Sequence, residues 1–523
     1  MKNLITRMRK LFLAMFAMVT VLSCTDLTIE GTDSLLQETP EFTGVEDVAG
    51  SLTSVYQATY GMLGDQANFF ALNEVTTDET LVPTRGTDWS DNGIWRQLHN
   101  HTWKQDHGFI LTTWNQLNGN AYRATEIIDP LSQASAQQAA EAKFLRAFNM
   151  YFVLDFWGVA PFRNATDPGS SIPTVLSSQE AYDFIVQDLN EAISDLPAVG
   201  PSAATSRASK SAARYLLAKV MLNGERYTGA APNYGQIISL IDGITGEGYA
   251  LAADYFNIFN PAVDTETIWY ANESLGIGNR IWNGLHYNMT TPDNGGGGWN
   301  GFSTLAEFYD LFEGDANQNY MGSNQEERRG WVPDATTADN TSNWGIGYGF
   351  LQGQQYSGSG AALTDRSGNP LSFTKDLSLT NSNETNGIRI IKYHPNPMPP
   401  GVAGGSQSFR AHEIIFRYAD AFLMKAEATL RNGGDATAMV NQLRALRGAS
   451  ALANVSLQDM IDERGRELYY EFWRRNDLLR FGQFTKDWEY KDPSAIGDAN
   501  RRLFPIPLAA LVSNPNLEQN PGY

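Results

Sequence analysis

Two stretches of the sequence place tryptophan beside hydrogen-bonding side chains and outside any regular apolar pattern. They are residues 84–95 and residues 282–300, and the second includes a run of four glycines. An indole can cover the apolar face of a sugar ring, while Asp, Asn and Arg beside it can pair with the ring hydroxyls. We therefore predict ligand contacts from Arg85, Asp88, Trp89, Asn92, Trp95, Trp282, Tyr287, Trp299 and Asn300.

A structural role is the alternative for each of these residues. Large irregular regions often use tryptophan to fill the space beneath their own loops, and an arginine such as Arg85 can hold a turn. Trp89 and Trp299 have no apolar periodicity around them. These two rings are therefore the strongest candidates for ligand contact.

Signatures of metal binding and catalysis are weaker. His99, His101 and His107 lie close together, but their spacing fits no standard set of metal ligands, so we predict no metal and no cofactor. A helical glycoside hydrolase would need two carboxylates about 5–5.5 Å or about 6.5–9.5 Å apart. Nothing singles out such a pair among the 58 acidic residues. The residues alone therefore do not exclude a hydrolase.

The beginning of the chain has the organisation of an export signal. Basic residues such as Lys2 and Arg7 precede an apolar run over 11–22, which is too short to span a bilayer. Cys24, the one cysteine in the sequence, follows this run and is the expected acceptor of a lipid. We predict a signal peptide over 1–23 and a lipidated tether over 24–40.

Composition indicates a large acidic globular protein. The chain has 523 residues, 42% of them hydrophobic, and a formal net charge of -20. Such a charge repels phosphate backbones and anionic lipid headgroups, which argues against nucleic acid as a partner and against peripheral membrane binding. Otherwise the charge supports solubility.

Helical periodicity dominates the chain on either side of an irregular centre. The apolar repeats predict helices over 44–63, 108–129, 136–157, 178–195, 209–225, 234–244, 303–312, 412–430, 436–447 and 457–472. Pairs of these helices joined by short turns resemble tetratricopeptide hairpins, which stack into a superhelix. Residues 64–105 and 250–410 are irregular, with short strands favoured over 268–270 and 388–393.

The C-terminal part of the sequence contains charged pairs at helical spacing and a proline-rich tail. Asp462 and Arg466, and likewise Glu471 and Arg475, lie four residues apart, the spacing at which ion pairs are expected on one helix. Prolines between 505 and 521 indicate an extended tail that wraps the body.

Four segments in this order resemble the SusD/RagB family of outer-membrane lipoproteins. They are KFLRAFNMYFVLDFWGVAPF (143–162), FRYADAFLMKAEATL (416–430), IDERGRELYYEFWRRNDLLRFG (461–482) and LFPIPLAALVSNPNLEQNPGY (503–523). The resemblance extends from Cys24 to the C-terminus. It implies a mainly α fold, a SusD-like α-superhelix of tetratricopeptide-like hairpins, with a large loop-rich region that carries the ligand face.

The same resemblance implies a function and a location. We expect a lipid-anchored protein on the outer face of the outer membrane, which binds a glycan and delivers it to a SusC-like TonB-dependent transporter. Because the resemblance argues against a hydrolase, we expect a binding protein rather than an enzyme. Capture of peptides or other nutrients is the first alternative on this scaffold. A helical glycoside hydrolase and a structural partner of the transporter without a ligand of its own are the others. We expect a single domain over 41–523, with helical scaffold over 41–63, 106–250 and 410–485 and ligand-binding loops over 64–105 and 250–410.

Overall fold

Helices occupy most of the chain outside its centre. The computed structural model describes residues 41–260, 264–271, 282–291, 297–320, 322, 324–395 and 412–523, without the side chains of 203 and 204. The predicted signal peptide, Cys24 and the tether lie outside the described residues. The helices are α1 (Val48–Gly64), α2 (Asn68–Glu74), α3 (Ile94–His99), α4 (Gly108–Ile128), α5 (Ala136–Trp157), α6 (Ser178–Asp195), α7 (Lys210–Leu222), α8 (Gly224–Thr228), α9 (Tyr234–Gly246), α10 (Ala306–Tyr309), α11 (Tyr418–Arg431), α12 (Thr437–Leu446), α13 (Leu457–Leu468), α14 (Arg474–Arg480) and α15 (Leu508–Ser513).

Short antiparallel strands tie the loops together. They are β1 (Thr80–Leu81), β2 (Ala160–Phe162), β3 (Thr174–Leu176), β4 (Thr267–Ala271), β5 (Ser303–Thr304), β6 (Gly330–Trp331), β7 (Tyr348–Leu351), β8 (Gly353–Gln354), β9 (Ser372–Phe373), β10 (Arg389–Ile391) and β11 (Glu413–Arg417). The pairs are β1–β5, β2–β3, β4–β11 and β8–β9, and β7 lies between β10 and β6. No helix of the described residues combines the length and hydropathy that a membrane crossing requires.

Consecutive long helices pack against one another, as in stacked helical hairpins. α4 packs on α5, α5 on α6, α6 on α7 and α7 on α9, and the row continues through α11 to α13. α5 is buried on almost every side from Ala140 to Trp157 and lies at the centre of the apolar core. Residues 43–167 and 171–523 form the compact unit that contains all of these elements. The predicted mainly α fold with a tetratricopeptide-like scaffold is confirmed.

The bounds of α5 follow from its own sequence. Ser135 and Gln138 form a capping box at its start, which satisfies two free backbone N–H groups. At its end Gly158 has a φ of +75°, and a Cβ there would lie 2.9 Å from Leu503 of the C-terminal tail. Glycine adopts this φ without steric cost, so the chain turns here into β2.

The predicted helix over 457–472 is wrong at its C-terminal end. α13 ends at Leu468, and the following Tyr470 and Phe472 have φ values of +63° and +59°. Their backbone N–H groups donate to the buried carboxylates of Glu79 and Glu74 instead of helical carbonyls. Glu79 lies 391 residues before Tyr470, so the local sequence does not reveal this bend.

Other predicted bounds also differ from the structure. Residues 413–417, predicted as the start of a helix, form β11, which pairs with β4. Residues 303–312, predicted as one helix, are β5 followed by the four-residue α10. The stretch 64–105 contains α2 and α3, and the extended tail contains α15. The two strands depend on distant partner segments, which local periodicity does not show.

Buried ion pairs join the helical scaffold to the loop-rich centre. Arg417, at the end of β11, pairs with Glu266, Glu467 and Glu471. Arg328, from the central loops, reaches the same Glu467 on α13. All five side chains are buried. A charge in such a network cannot be removed without leaving its partners buried and uncompensated.

The ion pairs expected within one helix have other partners. Arg466 pairs with Glu463 rather than with Asp462. Arg475 pairs with Asp155 of α5, because the chain bends between α13 and α14 and carries Arg475 away from Glu471.

We predict that Arg417→Leu lowers the free energy of unfolding by about 3–5 kcal/mol, since three carboxylates lose a buried partner. Urea denaturation at neutral pH measures this change. The matched control is Lys143→Met, which removes a solvent-exposed pair with Glu191 and should lower stability by less than about 1 kcal/mol. Equal losses in the two variants would contradict the prediction.

Buried histidines make the stability of the fold depend on pH. Burial lowers the pKa of His99, His101, His107 and His412, in the last case to about 4. The unfolded chain takes up protons below about pH 6.5, where the folded chain still holds these rings neutral. Their contribution to stability is therefore present above that pH and is lost as the pH falls toward the folded pKa.

We predict that His412→Asn flattens the acid side of the stability profile. The parent loses about 1–2 kcal/mol between pH 7 and pH 5 through this one ring, and the variant does not. Urea midpoints over this range measure the difference. Between pH 7 and pH 8 the His412 ring is neutral in both the folded and the unfolded parent chain. The stability curves of parent and variant should therefore run parallel over that range. Parallel curves down to pH 5 would contradict the prediction.

Candidate functional site

Arg85 anchors the first loop from inside the protein. Its buried guanidinium donates to the carbonyls of Asn383 and Asn386 at 2.6 and 2.7 Å, and to Ser303 Oγ at 2.8 Å. Burial lowers the pKa of Arg85 to about 9. Two backbone hydrogen bonds of 2.9 Å join Arg85 to Asp88 and close a tight turn. This turn holds Asp88 at the surface.

Asn300 anchors the second loop in a similar way. Its Oδ1 accepts hydrogen bonds from the buried Arg389 at 2.8 and 3.1 Å, and its Nδ2 donates to the Glu384 carbonyl at 3.1 Å. The backbone N–H of Trp299 donates to the Trp282 carbonyl at 2.8 Å. The segment of the buried Trp282 therefore supports the segment that carries the exposed Trp299.

Trp299 and Trp89 lie together at the surface. The Trp299 side chain is 36% exposed, and its ring contacts no other aromatic ring of the described residues. Trp89 is half-buried, packs edge-on against Trp95 and Phe302, and donates its indole N–H to the Trp299 carbonyl at 2.9 Å. A Cβ on Gly301 would lie 2.4 Å from the Trp89 ring, so the absence of a side chain there lets the ring settle against the backbone.

A polar fringe continues from these rings. The Tyr287 hydroxyl donates to Asp88 Oδ2 at 2.7 Å, and the Arg366 guanidinium lies 4.0 Å above the Tyr287 ring. Arg366 donates to Asp88 at 3.1 Å and pairs with Glu384, which also contacts His286. We call Trp89, Tyr287 and Trp299, with Asp88 and Arg366, the aromatic shelf. Such a surface can cover an apolar ring face and bond hydroxyls at its edge.

Charges on the shelf are balanced locally. Burial and the hydrogen bond to Asp88 raise the pKa of Tyr287, so this hydroxyl stays protonated. Burial alone would raise the pKa of Glu384, but hydrogen bonds from Arg366 and His286 lower it. Burial lowers the pKa of His286, which favours a neutral ring.

The nine predicted contacts separate into two layers. Asp88, Trp89, Asn92, Tyr287 and Trp299 are exposed or half-buried. The buried layer consists of Arg85, Trp95, Trp282 and Asn300. Trp95 is held by its indole N–H, which donates to Asp91 at 2.7 Å. Contact with a ligand stays a prediction for the first layer, whereas the geometry of the second favours a supporting role.

Sequence reasoning missed Arg366 and Glu384. Arg366 lies in a polar turn without tryptophan, and its partner Asp88 is 278 residues away. An arginine beside Asp, Ser, Gly and Asn in the irregular centre was the one local signal. No group of three His, Cys, Asp or Glu side chains suited to a metal ion occurs among the described residues.

Stacked helical hairpins that support a loop-borne aromatic shelf define a class of binding scaffold. The model described as "SusD family" matches residues 265–523, and a second, SusD-like one, described as "Starch-binding associating with outer membrane", matches residues 37–222. The chain therefore belongs to the SusD family.

Similarity to known proteins extends over most of the chain. The starch-binding protein SusD of Bacteroides thetaiotaomicron is 27% identical over 505 residues, covering 88% of this chain and 86% of that protein. The structure of a laminarin binding SusD-like protein aligns with a TM-score of 0.67 and 22% identity, over 92% of this chain and all of that one. Surface glycan-binding protein A of the same Bacteroides species, in complex with laminarihexaose, aligns with a TM-score of 0.65 and 18% identity, over 90% and 98% of the two chains.

We predict that Gly301→Ala displaces the Trp89 ring, because the new Cβ would lie within the van der Waals radius of the indole. Overpacking of this kind lowers stability by about 1–3 kcal/mol, measurable by urea denaturation. Gly61→Ala is the control, since its Cβ meets nothing within 4 Å on α1 and should leave stability unchanged or raised. If Gly301→Ala lowers stability no more than Gly61→Ala does, the Trp89 ring is not confined by Gly301.

Proposed function

We propose that this chain binds an oligo- or polysaccharide on the aromatic shelf and delivers it to a TonB-dependent transporter of the outer membrane. The observation that carries the binding proposal is the exposed ring of Trp299, a residue whose backbone carbonyl accepts from the Trp89 indole beside the polar fringe of Asp88, Tyr287 and Arg366. The names of the relatives support a saccharide as the ligand.

The shelf matches the two chemical faces of a sugar. A large aromatic ring that is open to solvent gains free energy when it covers an apolar ring face. Beside it, Asp88 and Arg366 offer an acceptor and donors on side chains that are already held by Tyr287 and Glu384. Groups that are fixed before binding lose little conformational entropy, so each contact retains more of its free energy.

Peptide capture is the second candidate function on this scaffold. A peptide site would use backbone hydrogen bonds along an open strand edge. The shelf is instead bounded by side chains and by loops whose backbone groups are already paired: the N–H groups of Trp299 and Asn300 donate to the carbonyls of Trp282 and Leu285. This arrangement favours a saccharide over an extended peptide.

Catalysis has less support than binding. A glycosidase needs a carboxylic acid whose pKa is raised, so that it can protonate the leaving group. Asp88 of the shelf and the neighbouring Glu384 both pair with Arg366, and the pKa of Glu384 is lowered. The relatives are also named as binding proteins.

A family description and the predicted lipid acceptor Cys24 support the proposed location and partner. The second family description includes association with the outer membrane. A lipid on Cys24 would hold the body at the membrane through a tether that ends where the described residues begin. From that position the shelf would pass its glycan to the transporter.

We predict that Trp299→Ala weakens binding of maltoheptaose or laminarihexaose by tenfold or more, about 1.4 kcal/mol. Trp89→Ala should weaken it as well, through loss of the indole bond to the Trp299 carbonyl. Isothermal titration calorimetry with the purified proteins measures the affinities of both variants. Trp331→Ala is the control, because this half-buried ring packs on Tyr348 elsewhere in the loops. If the parent binds a glycan and both shelf variants bind it equally well, the shelf is not the site.

A further inference from the structure

A cavity adjoins the aromatic shelf. It has a volume of about 330 Å³ and lies between residues 340–344 and 356–363, with residues 288–291 along one side. Asn288 lines this cavity directly after Tyr287 of the shelf, and it donates to the Thr364 carbonyl at 2.7 Å, two residues before Arg366. The shelf and the cavity therefore share two chain segments, residues 287–291 and 356–366. A ligand that extends beyond the shelf can reach the cavity along them.

Two aromatic rings, Trp344 and Tyr356, line the cavity. Trp344 and Tyr356 are half-buried, and neither contacts another ring within the part of the chain that the structure describes. Most other large rings of the protein pack against one another, as Trp331 does on Tyr348 at 5.5 Å. Rings that are held at the wall of an open cavity, and not used in the core, are available to cover a ligand.

The backbone holds Trp344 in an unusual conformation. Its φ is +52°, a region that bulky residues rarely adopt and that costs free energy. Asp339 stabilises the turn, since its carboxylate accepts from the backbone of Thr341 and Ser342 and its carbonyl accepts from Trp344 N–H at 2.6 Å. A Cβ on Gly358 would lie 2.4 Å from Asn340, so glycine there allows the two walls to approach. The turn fixes the indole at the cavity.

The polar groups of the cavity are neutral. None of the described residues that line it carries a charge, and hydroxyls and amides come from Asn288, Thr291, Asn340, Ser357 and Ser359. Thr291 is 5% exposed, and its Oγ1 has no hydrogen-bond partner among the described residues. A buried hydroxyl of this kind is satisfied when a ligand hydroxyl reaches it.

We infer that this cavity is a second sugar subsite, which takes an uncharged pyranose residue of the same glycan that occupies the shelf. Trp344 and Tyr356 cover the faces of the sugar, and Thr291 bonds one of its hydroxyls. Its volume, near the lower end of the roughly 300–1,000 Å³ usual for small-molecule sites, suits one residue rather than a chain. The inference rests on the proposed function of the shelf, because the two subsites share one ligand.

Chain-length dependence tests this inference. Calorimetric titration compares a trisaccharide with a hexasaccharide of whichever series, maltooligosaccharide or laminarioligosaccharide, the parent binds. Trp344→Ala should weaken hexasaccharide binding by fivefold or more and leave trisaccharide binding within twofold of the parent. Trp299→Ala should weaken both. Trp331→Ala, the matched tryptophan outside the cavity, should change neither.

Thr291→Val keeps the test valid where truncation of Trp344 disturbs the turn. Valine retains the shape of threonine, so the free energy of unfolding should be unchanged. The affinity for the hexasaccharide should nevertheless fall by about threefold. Hexasaccharide binding at parental strength in both Trp344→Ala and Thr291→Val would overturn the subsite and leave the shelf in place. A parent that binds neither series would overturn the proposed glycan function itself, and the subsite with it.

Discussion

Buried arginines determine where the loops of this protein lie. In the described part of the loop-rich centre no strand is longer than five residues, so sheet pairing alone cannot hold it. Backbone carbonyls of irregular segments still require donors when they are buried. Arg85 and Arg389 supply them, each with its guanidinium among several carbonyls. The planar group with five donors suits this role better than the single ammonium of lysine.

The same residue type connects the centre to the helices. Arg328 and Arg417 converge on Glu467 of α13, and Arg447 reaches both Glu467 and Glu266. α13 is thus a common attachment for loops that are far apart in sequence. Because buried pairs of this kind cost much desolvation, their value lies in geometry as much as in stability. They fix the loop segments that carry Arg328 and Arg447 against the helical scaffold in one arrangement.

The local sequence was enough to predict the helical scaffold, whereas contacts between distant segments determine where the chain bends and which residues form strands. The capping boxes at Ser135 and Ser177 and the periodicity behind them define α5 and α6 at the observed residues. The bend after Leu468 could not be read from its own segment, because it depends on Glu74 and Glu79.

The candidate site also depends on contacts that the local sequence does not reveal. Trp89 and Trp95 occur in one polar stretch, as do Trp282 and Trp299, yet one ring of each pair is buried and the other is at the surface. Which ring is covered depends on Phe302 and on the segments around Asn283, and composition contains no information about those contacts. Arg366 was missed for the same reason, since only folding brings it to Asp88.

Charge on the shelf bears on the kind of saccharide that fits. Its one described guanidinium, Arg366, is already paired with Asp88 and Glu384, so the cation is neutralised by two carboxylates. The whole chain adds a formal net charge of -20, which repels polyanions at long range. A sulfated or uronic acid residue would meet this field and would have to displace an existing ion pair to gain one of its own. A neutral sugar meets no such opposition, because ring faces and hydroxyls are recognised without a change in charge.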